Sequence, residues 1–225
     1  CRGMATSPES ITPGRSSFVD AVNVLLTNIG EQPVDTLNNQ QAQEVRMAER
    51  TLREFQKDGQ ARAWSWNTEF SYPFDVDSSS KEITVPDSCL AFEVDPYRWN
   101  GRFMVRGKRV YDKLNRTYKV GNDTTITQLT ANVVWMLSWD ESPEVFNRWT
   151  TIRSARVFST RVLGSDSITQ FTAVDEQAAL TELQRVEMMQ SNPNALTDGP
   201  WSGPIPTYSP AFGLRRGVYG GYGLG

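Results

Sequence analysis

Histidine is absent from all 225 residues, and cysteine occurs only at Cys1 and Cys89. Without an imidazole there is no Ser-His-Asp or Cys-His nucleophile system, no His-rich zinc site and no ordinary general base near neutral pH. Two distant cysteines exclude a zinc centre and make a disulfide framework unexpected; Cys89 reads as a small buried strand residue. There is no GxxxxGK[ST] phosphate loop and no GxGxxG fingerprint, and the nearest approach, Gly220-Gly221-Tyr222-Gly223, has no helix to follow it. No cofactor is expected. No apolar run approaches bilayer length and Cys1-Arg-Gly-Met4 leads into polar residues, so neither a transmembrane helix nor a signal peptide is expected. Met4 reads as an initiator, and synthesis as cytoplasmic. A surplus of positive charge is missing as well. The net charge of -3 and pI near 5.2 are not the footprint of a high-affinity nucleic-acid binder.

Carboxylates are plentiful, and a pair of them suffices for glycoside hydrolysis. One reading is therefore a carbohydrate-active or cell-wall hydrolase, with Asp and Glu of a β region as acid and nucleophile and Trp64, Trp66 and Trp99 stacking on sugars. The other is a structural protein built on large interfaces. A hydrophobic content of 38% supports a core of moderate size and leaves surface for partners to complete. The length fits one large domain or two small ones.

Periodicity divides the chain into helices, strands, helices and an arm. Phe18, Val22, Leu25, Leu26 and Ile29 recur at helical spacing behind Ser16 or Ser17, either of which can cap the start. Gly30 can close that helix in the left-handed conformation and Pro33 prevents its resumption. A second helix is expected from about Asn39 to Asp58, with Val45, Ala48, Leu52 and Phe55 as its apolar stripe and Gly59 as its stop. From Ala61 the period changes to two: Trp64, Trp66, Thr68 and Phe70 alternate as in a half-buried strand. Short strands are expected at 82–85, 89–94, 102–106, 108–111, 117–120 and 126–137, a spacing that suits a small antiparallel sandwich or barrel.

Asp140 or Ser142 can cap a third helix, with Pro143 and Glu144 in its first turn and Val145, Trp149, Ile152, Ala155, Phe158 and Val162 facing the core until Gly164. A fourth is expected from about Ile168 to Gln190, opened by Asp166 or Ser167, with Phe171, Val174, Ala178, Leu183 and Val186 inward. The third carries Arg148, Arg153, Arg156 and Arg161; the fourth carries Asp175, Glu176, Glu182 and Glu187. Opposite charge favours antiparallel docking or pairing with a neighbouring subunit, or simply marks two solvated faces. Half of the 16 glycines lie beyond Asp198 together with Pro200, Pro204, Pro206 and Pro210, so no regular element is expected there. Yet Trp201, Tyr208, Phe212, Tyr219 and Tyr222 are interleaved with the breakers, and Arg215-Arg216 adds charge. That pattern reads either as a floppy tail or as an arm that orders against a partner.

The expected fold class is α+β: a helical bundle made from the N- and C-terminal helix pairs, an inserted antiparallel β domain and an extended C-terminal arm. Residues 1–15 read as a flexible N-terminus, 16–60 and 140–190 as the bundle, 61–139 as the β domain and 191–225 as the arm.

The run Ala21-Val-Asn-Val-Leu-Leu-Thr-Asn-Ile-Gly-Glu-Gln-Pro-Val-Asp-Thr-Leu37, followed by a second helix and then by Arg62-Ala-Trp64-Ser-Trp66-Asn67, resembles the start of the tail tubular protein A family, the head-to-tail adaptors of short-tailed (podovirus) bacteriophages. Tyr111-Asp112 and Trp139-Asp-Glu-Ser-Pro-Glu-Val-Phe-Asn-Arg-Trp149 continue the likeness, which covers roughly residues 18 to 190. The resemblance implies a virion tail protein without catalytic, cofactor or metal sites. It also implies a homo-oligomeric ring of twelve between the portal protein and the tail nozzle (tail tubular protein B), a surface for tail fibres, and a lumen through which genomic DNA passes without specific binding. Subunit or portal contacts are expected at the four arginines of the third helix and at the aromatic residues and Arg215-Arg216 of the arm.

Overall fold

Residues 14–38, 42–99, 101–122, 126–164 and 171–191 are described by a computed structural model. Ser17 caps the first helix, α1 (Phe18–Asn28), by a reciprocal exchange with Asp20: the Ser17 hydroxyl accepts from the Asp20 amide at 3.1 Å and the Asp20 carboxylate accepts from the Ser17 amide at 2.9 Å. One face of α1 buries Ala21, Val22, Leu25 and Leu26. Burying each such branched aliphatic contributes about 1.5–3 kcal/mol, so packing outweighs the cap, worth about 1 kcal/mol. The chain turns away at Gly30, whose φ of +84° suits glycine as expected. Asn23 then pins the exit beyond Pro33, donating to the Val34 carbonyl at 2.9 Å and accepting from its amide at 2.8 Å.

The second helix, α2 (Gln43–Gln60), buries Val45, Ala48, Leu52 and Phe55, the expected stripe. Its expected start near Asn39 lies outside the described residues. Gly59 does not stop it. The helix runs one residue further, and Gly59 is a point of close approach: a Cβ there would lie 2.8 Å from the Trp149 ring and 2.9 Å from that of Phe146.

The segment 61–67 is a turn rather than the start of a strand. Ala63 has a φ of 59°, Ser65–Asn67 is a single 3-10 turn, and strand β1 begins only at Thr68 (Thr68–Asp75). Asn67 causes the change of direction, because its side chain bonds the Trp64 amide, the Gln60 carbonyl and the Trp135 carbonyl, each at 2.9 Å. The strands β2 (Cys89–Val94) and β5 (Gln128–Trp135) complete an antiparallel sheet in the order β1-β5-β2. A short helix, α3 (Pro96–Trp99), leads into the hairpin β3 (Phe103–Arg106) and β4 (Arg109–Asp112). The expected strands at 82–85 and 117–120 contribute only single bridges, Thr84 to Arg109 and Asp112 to Thr117; after the second, the chain closes into a 3-10 turn at Val120–Asn122. The two sheets share one core that includes Phe74, Ile83, Val94, Phe103, Val110, Leu129 and Val133.

The third long helix, α4 (Glu144–Leu163), ends at Gly164 as expected, but its cap position is Pro143, with no side-chain cap bond, so neither Asp140 nor Ser142 caps it. It is covered by α1, α2 and the last helix, α5 (Ala173–Ser191), so burial extends beyond the expected stripe to Phe146, Asn147, Thr150, Ser154 and Ser159, while Val162 is exposed. The start of α5 differs as well. Thr172 and Asp175 form its reciprocal cap, and Asp166 and Ser167 lie outside the described residues. Ala179, Leu180 and Leu183 face inward with Val186 half-buried, whereas Val174 and Ala178, expected in the core, are exposed. The observed class is the α+β arrangement of helix pairs around inserted antiparallel sheets; the arm expected over 191–225 lies, from residue 192 on, outside the described residues.

Candidate functional site

Three of the four arginines of α4 form ion pairs within the chain. Arg156 Nε donates to Glu176 of α5 at 2.7 Å. Arg153 lies 3.2 Å from Asp58 of α2 and 3.8 Å from Glu176, and its guanidinium covers the rings of Phe55 and Trp149 at 4.9 and 5.4 Å. Together they tie α2, α4 and α5, so of the arrangements that opposite charge on the two helices left open the chain uses docking within the subunit at Glu176, the one acid of α5 that pairs with these arginines among the described residues. Arg161 forms a two-pronged bond with Glu54 at 2.9 and 3.1 Å, which holds the Glu54 carboxyl below its ordinary range and raises Arg161. That pair is exposed and contributes little to stability. Arg148 is exposed and makes no ion pair with any described residue. Trp201, Tyr208, Phe212, Arg215, Arg216, Tyr219 and Tyr222 lie outside the described residues.

The side chains that carry the resemblance are joints. Asn28 donates to the Ala155 carbonyl at 3.0 Å and fastens α1 to α4. Arg62 stacks over Trp149 at 4.9 Å, while Trp64 is buried and donates its indole N–H to the Gly59 carbonyl at 2.8 Å. Trp139 donates to the Ser16 carbonyl at 2.8 Å and meets Phe18 edge-on, and Asn147 reaches back to the Trp139 carbonyl at 3.0 Å. Asp112 accepts two bonds from Arg102 at 2.7 and 3.0 Å and others from the Leu114 and Asn115 amides.

The tryptophans proposed for sugar stacking do other work. Trp64 is core, Trp66 packs on Phe146 with ring centres 5.0 Å apart, and Trp99 meets Phe103 edge-on at 5.1 Å. An open depression of about 430 Å³ beside Phe18, Arg53, Gln56 and residues 136–139 has no carboxylate in its lining. A second, of about 340 Å³ beside Asn23, Val24, Thr27 and Phe171, has only Asp20, whose carboxyl the Ser17 hydroxyl and amide hold below its usual range. Neither sets two carboxylates across a cleft, and neither raises a carboxyl toward the range of a general acid. Cys89 is half-buried at the start of β2; burial pushes its thiol above the ordinary value, away from nucleophilic character. No described helix is long and apolar enough to cross a membrane.

Exposed apolar side chains were the signal that sequence reading missed. Val174, Met188 and Met189 on α5 are 76%, 67% and 68% exposed, and Leu114 beyond β4 is 72% exposed. Periodicity assigns such residues to a core by default, and only the tertiary placement of α5 shows which of them face out.

No curated protein matches the chain. The sequence pattern of the family described as tail tubular protein matches residues 19–193, a span that takes in all four long helices, apart from Phe18 at the start of α1, and both sheets. The joints described above fall inside that span or at its edge. The chain belongs to the tail tubular protein family, structural proteins of the phage tail.

Proposed function

We propose that this chain is the head-to-tail adaptor of a short-tailed phage, a ring of twelve subunits seated between the portal protein and the tail nozzle. The family match over residues 19–193 carries this reading. The slightly acidic balance agrees with a lumen that lets genomic DNA pass without gripping it. Tail fibres attach on the outer surface of the assembled tail. Arg153, Arg156 and Arg161 act chiefly within the subunit, and Arg148 is the arginine of α4 left for a neighbour or the portal.

The segment 191–225 is the portal-binding arm in this reading. Trp201, Tyr208, Phe212, Tyr219 and Tyr222 anchor it, with Arg215 and Arg216 supplying charge. Each anchored aromatic is worth on the order of 1–3 kcal/mol of binding. Truncation after Asp198 is expected to leave a folded protein by circular dichroism that no longer stays on DNA-filled heads and yields tailless particles by electron microscopy. Infectious virions completed by the truncated chain would refute the arm assignment. A virion tail image lacking this chain between portal and nozzle would refute the adaptor reading itself.

A further inference from the structure

The β region is electrically divided. Residues 68–97, spanning β1 and β2, hold seven carboxylates against the single Lys81, whereas residues 98–119, spanning the β3–β4 hairpin and the turn after it, hold eight cations against the single Asp112. A chain of net charge -3 therefore carries two opposed surpluses within 52 consecutive residues. Part of the charge is cancelled internally: Arg102 pairs with Asp112, Lys108 with Asp87 and Arg109 with Glu82. Arg106, Lys113 and Lys119 are exposed and pair with no described carboxylate, and Asp75 and Glu93, on the outer face of the β1-β5-β2 sheet, are exposed and pair with no described cation.

The outward face of the hairpin is also prearranged. The Arg106 guanidinium lies 3.8 Å from the Tyr111 ring centre and that of Arg109 lies 4.3 Å from Tyr118, and the two rings meet edge-to-face at 5.0 Å. Arginine and tyrosine held in one layer have little rotamer freedom left to lose on docking. The exposed Leu114 next to Lys113 adds the apolar contact that a purely solvated face lacks.

We infer that the outward face of the β3–β4 hairpin is a docking surface for a second copy of this chain, whose β1-β5-β2 sheet, through Asp75 and Glu93 on its outer face in the rows of Gln128 and Asn132, supplies the complementary charge. The contact is head-to-tail, because a basic face on one copy meets an acidic face on the next, and such heterologous contacts close into rings when the rotation permits. Charge complementarity within the one sequence selects this occupant over nucleic acid, which would answer the basic face and leave the acidic one without a role. The inference rests on the ring reading above and adds to it which faces meet.

The test uses the full-length chain in two variants: Arg106→Glu, Lys113→Glu and Lys119→Glu together, and Asp75→Lys with Glu93→Lys. All five positions are exposed, and unchanged circular dichroism and thermal midpoint establish that each variant folds. Mass photometry and sedimentation at about 0.05 M and about 0.5 M salt read the assembly, since screening weakens surface charge contacts. Wild-type oligomers are expected to weaken at high salt, and each variant alone to associate at least about tenfold less tightly. An equimolar mixture of the two is expected to recover association, since each reversed face then meets its complement. If the wild type assembles and both variants assemble equally well, the inference is overturned while the ring stands. It is overturned in favour of a polyanion contact if the basic-face variant assembles normally but loses retention on duplex DNA. A wild type that forms no oligomer with or without portal protein overturns the ring reading and this inference with it.

Discussion

Asp112 is 1% exposed and would be costly as an isolated charge, yet five hydrogen bonds converge on its carboxylate. Burial opposes its ionisation; the Arg102 guanidinium and the Asn115 and Leu114 amides outweigh burial and hold its pKa below the ordinary aspartate value. A group depressed in the folded state stabilises the fold above its unfolded pKa, and that contribution is lost as pH falls through the folded pKa. Asp112→Asn is therefore expected to cost on the order of 2–3 kcal/mol at pH 7, because Arg102 loses its counter-charge, and to flatten the decline of stability in acid. Urea unfolding at a series of pH values measures both; an unchanged acid slope would show that other carboxylates dominate it. Asp112 was legible in sequence only as half of a shared Tyr-Asp pair. Its partner lies ten residues away across a hairpin, which no local pattern reveals. Gly59 makes the same point: by its position it resembles a helix stop, but the reason for glycine is a pair of aromatic rings from α4, 87 and 90 residues further on.

At the scale of elements, α1 was readable because cap, stripe and glycine exit all lie within one short segment and agree. The stripe of α4 was only half readable, because a helix covered by three others has no single buried face; Thr150, Ser154 and Ser159 are fully buried there as small side chains between helices. For α5 the phase was misread, since Val174 and Ala178 fit an apolar period that tertiary packing does not use. Docking of α5 instead rests on Ala179, Leu180 and Leu183 together with the grip of Arg153 and Arg156 on Glu176. Replacing both arginines with glutamate places like charges beside Glu176 and Asp58 and removes the cover over Phe55 and Trp149. The expected cost is about 2 kcal/mol, discounted for partial exposure, with the sheets intact. Limited proteolysis should then cut between α4 and α5 well before the β region is attacked, and wild-type protection of that connection would count against the docking role.

For the whole molecule, the decisive feature is how bundle and sheets are joined. Gln60, fully buried at the end of α2, donates to the Leu137 carbonyl at 3.1 Å and to the Ser142 hydroxyl at 3.1 Å, and accepts from the Leu137 amide at 2.7 Å. Asn67 bonds the Gln60 and Trp135 carbonyls from the other side, so the outgoing and returning strands of the chain are clamped at one place. The alternation of Trp64 and Trp66 concealed this crossing, because its bonds are made by amide side chains that carry no periodic signal. The adaptor role proposed above calls for such a joint, since a loose hinge would let the two parts of each subunit yield separately under load. Gln60→Leu keeps the volume but leaves the Leu137 amide and carbonyl and the Ser142 hydroxyl buried with fewer partners, a cost of about 2–4 kcal/mol. Beyond lowering stability, the change should uncouple the two parts: calorimetry and urea unfolding, each expected to show one transition for the wild type, should separate into two steps for the variant, one for the bundle and one for the β region. A variant that is merely less stable, with one transition of unchanged steepness, would show that the apolar contacts across the junction couple the parts without help from Gln60.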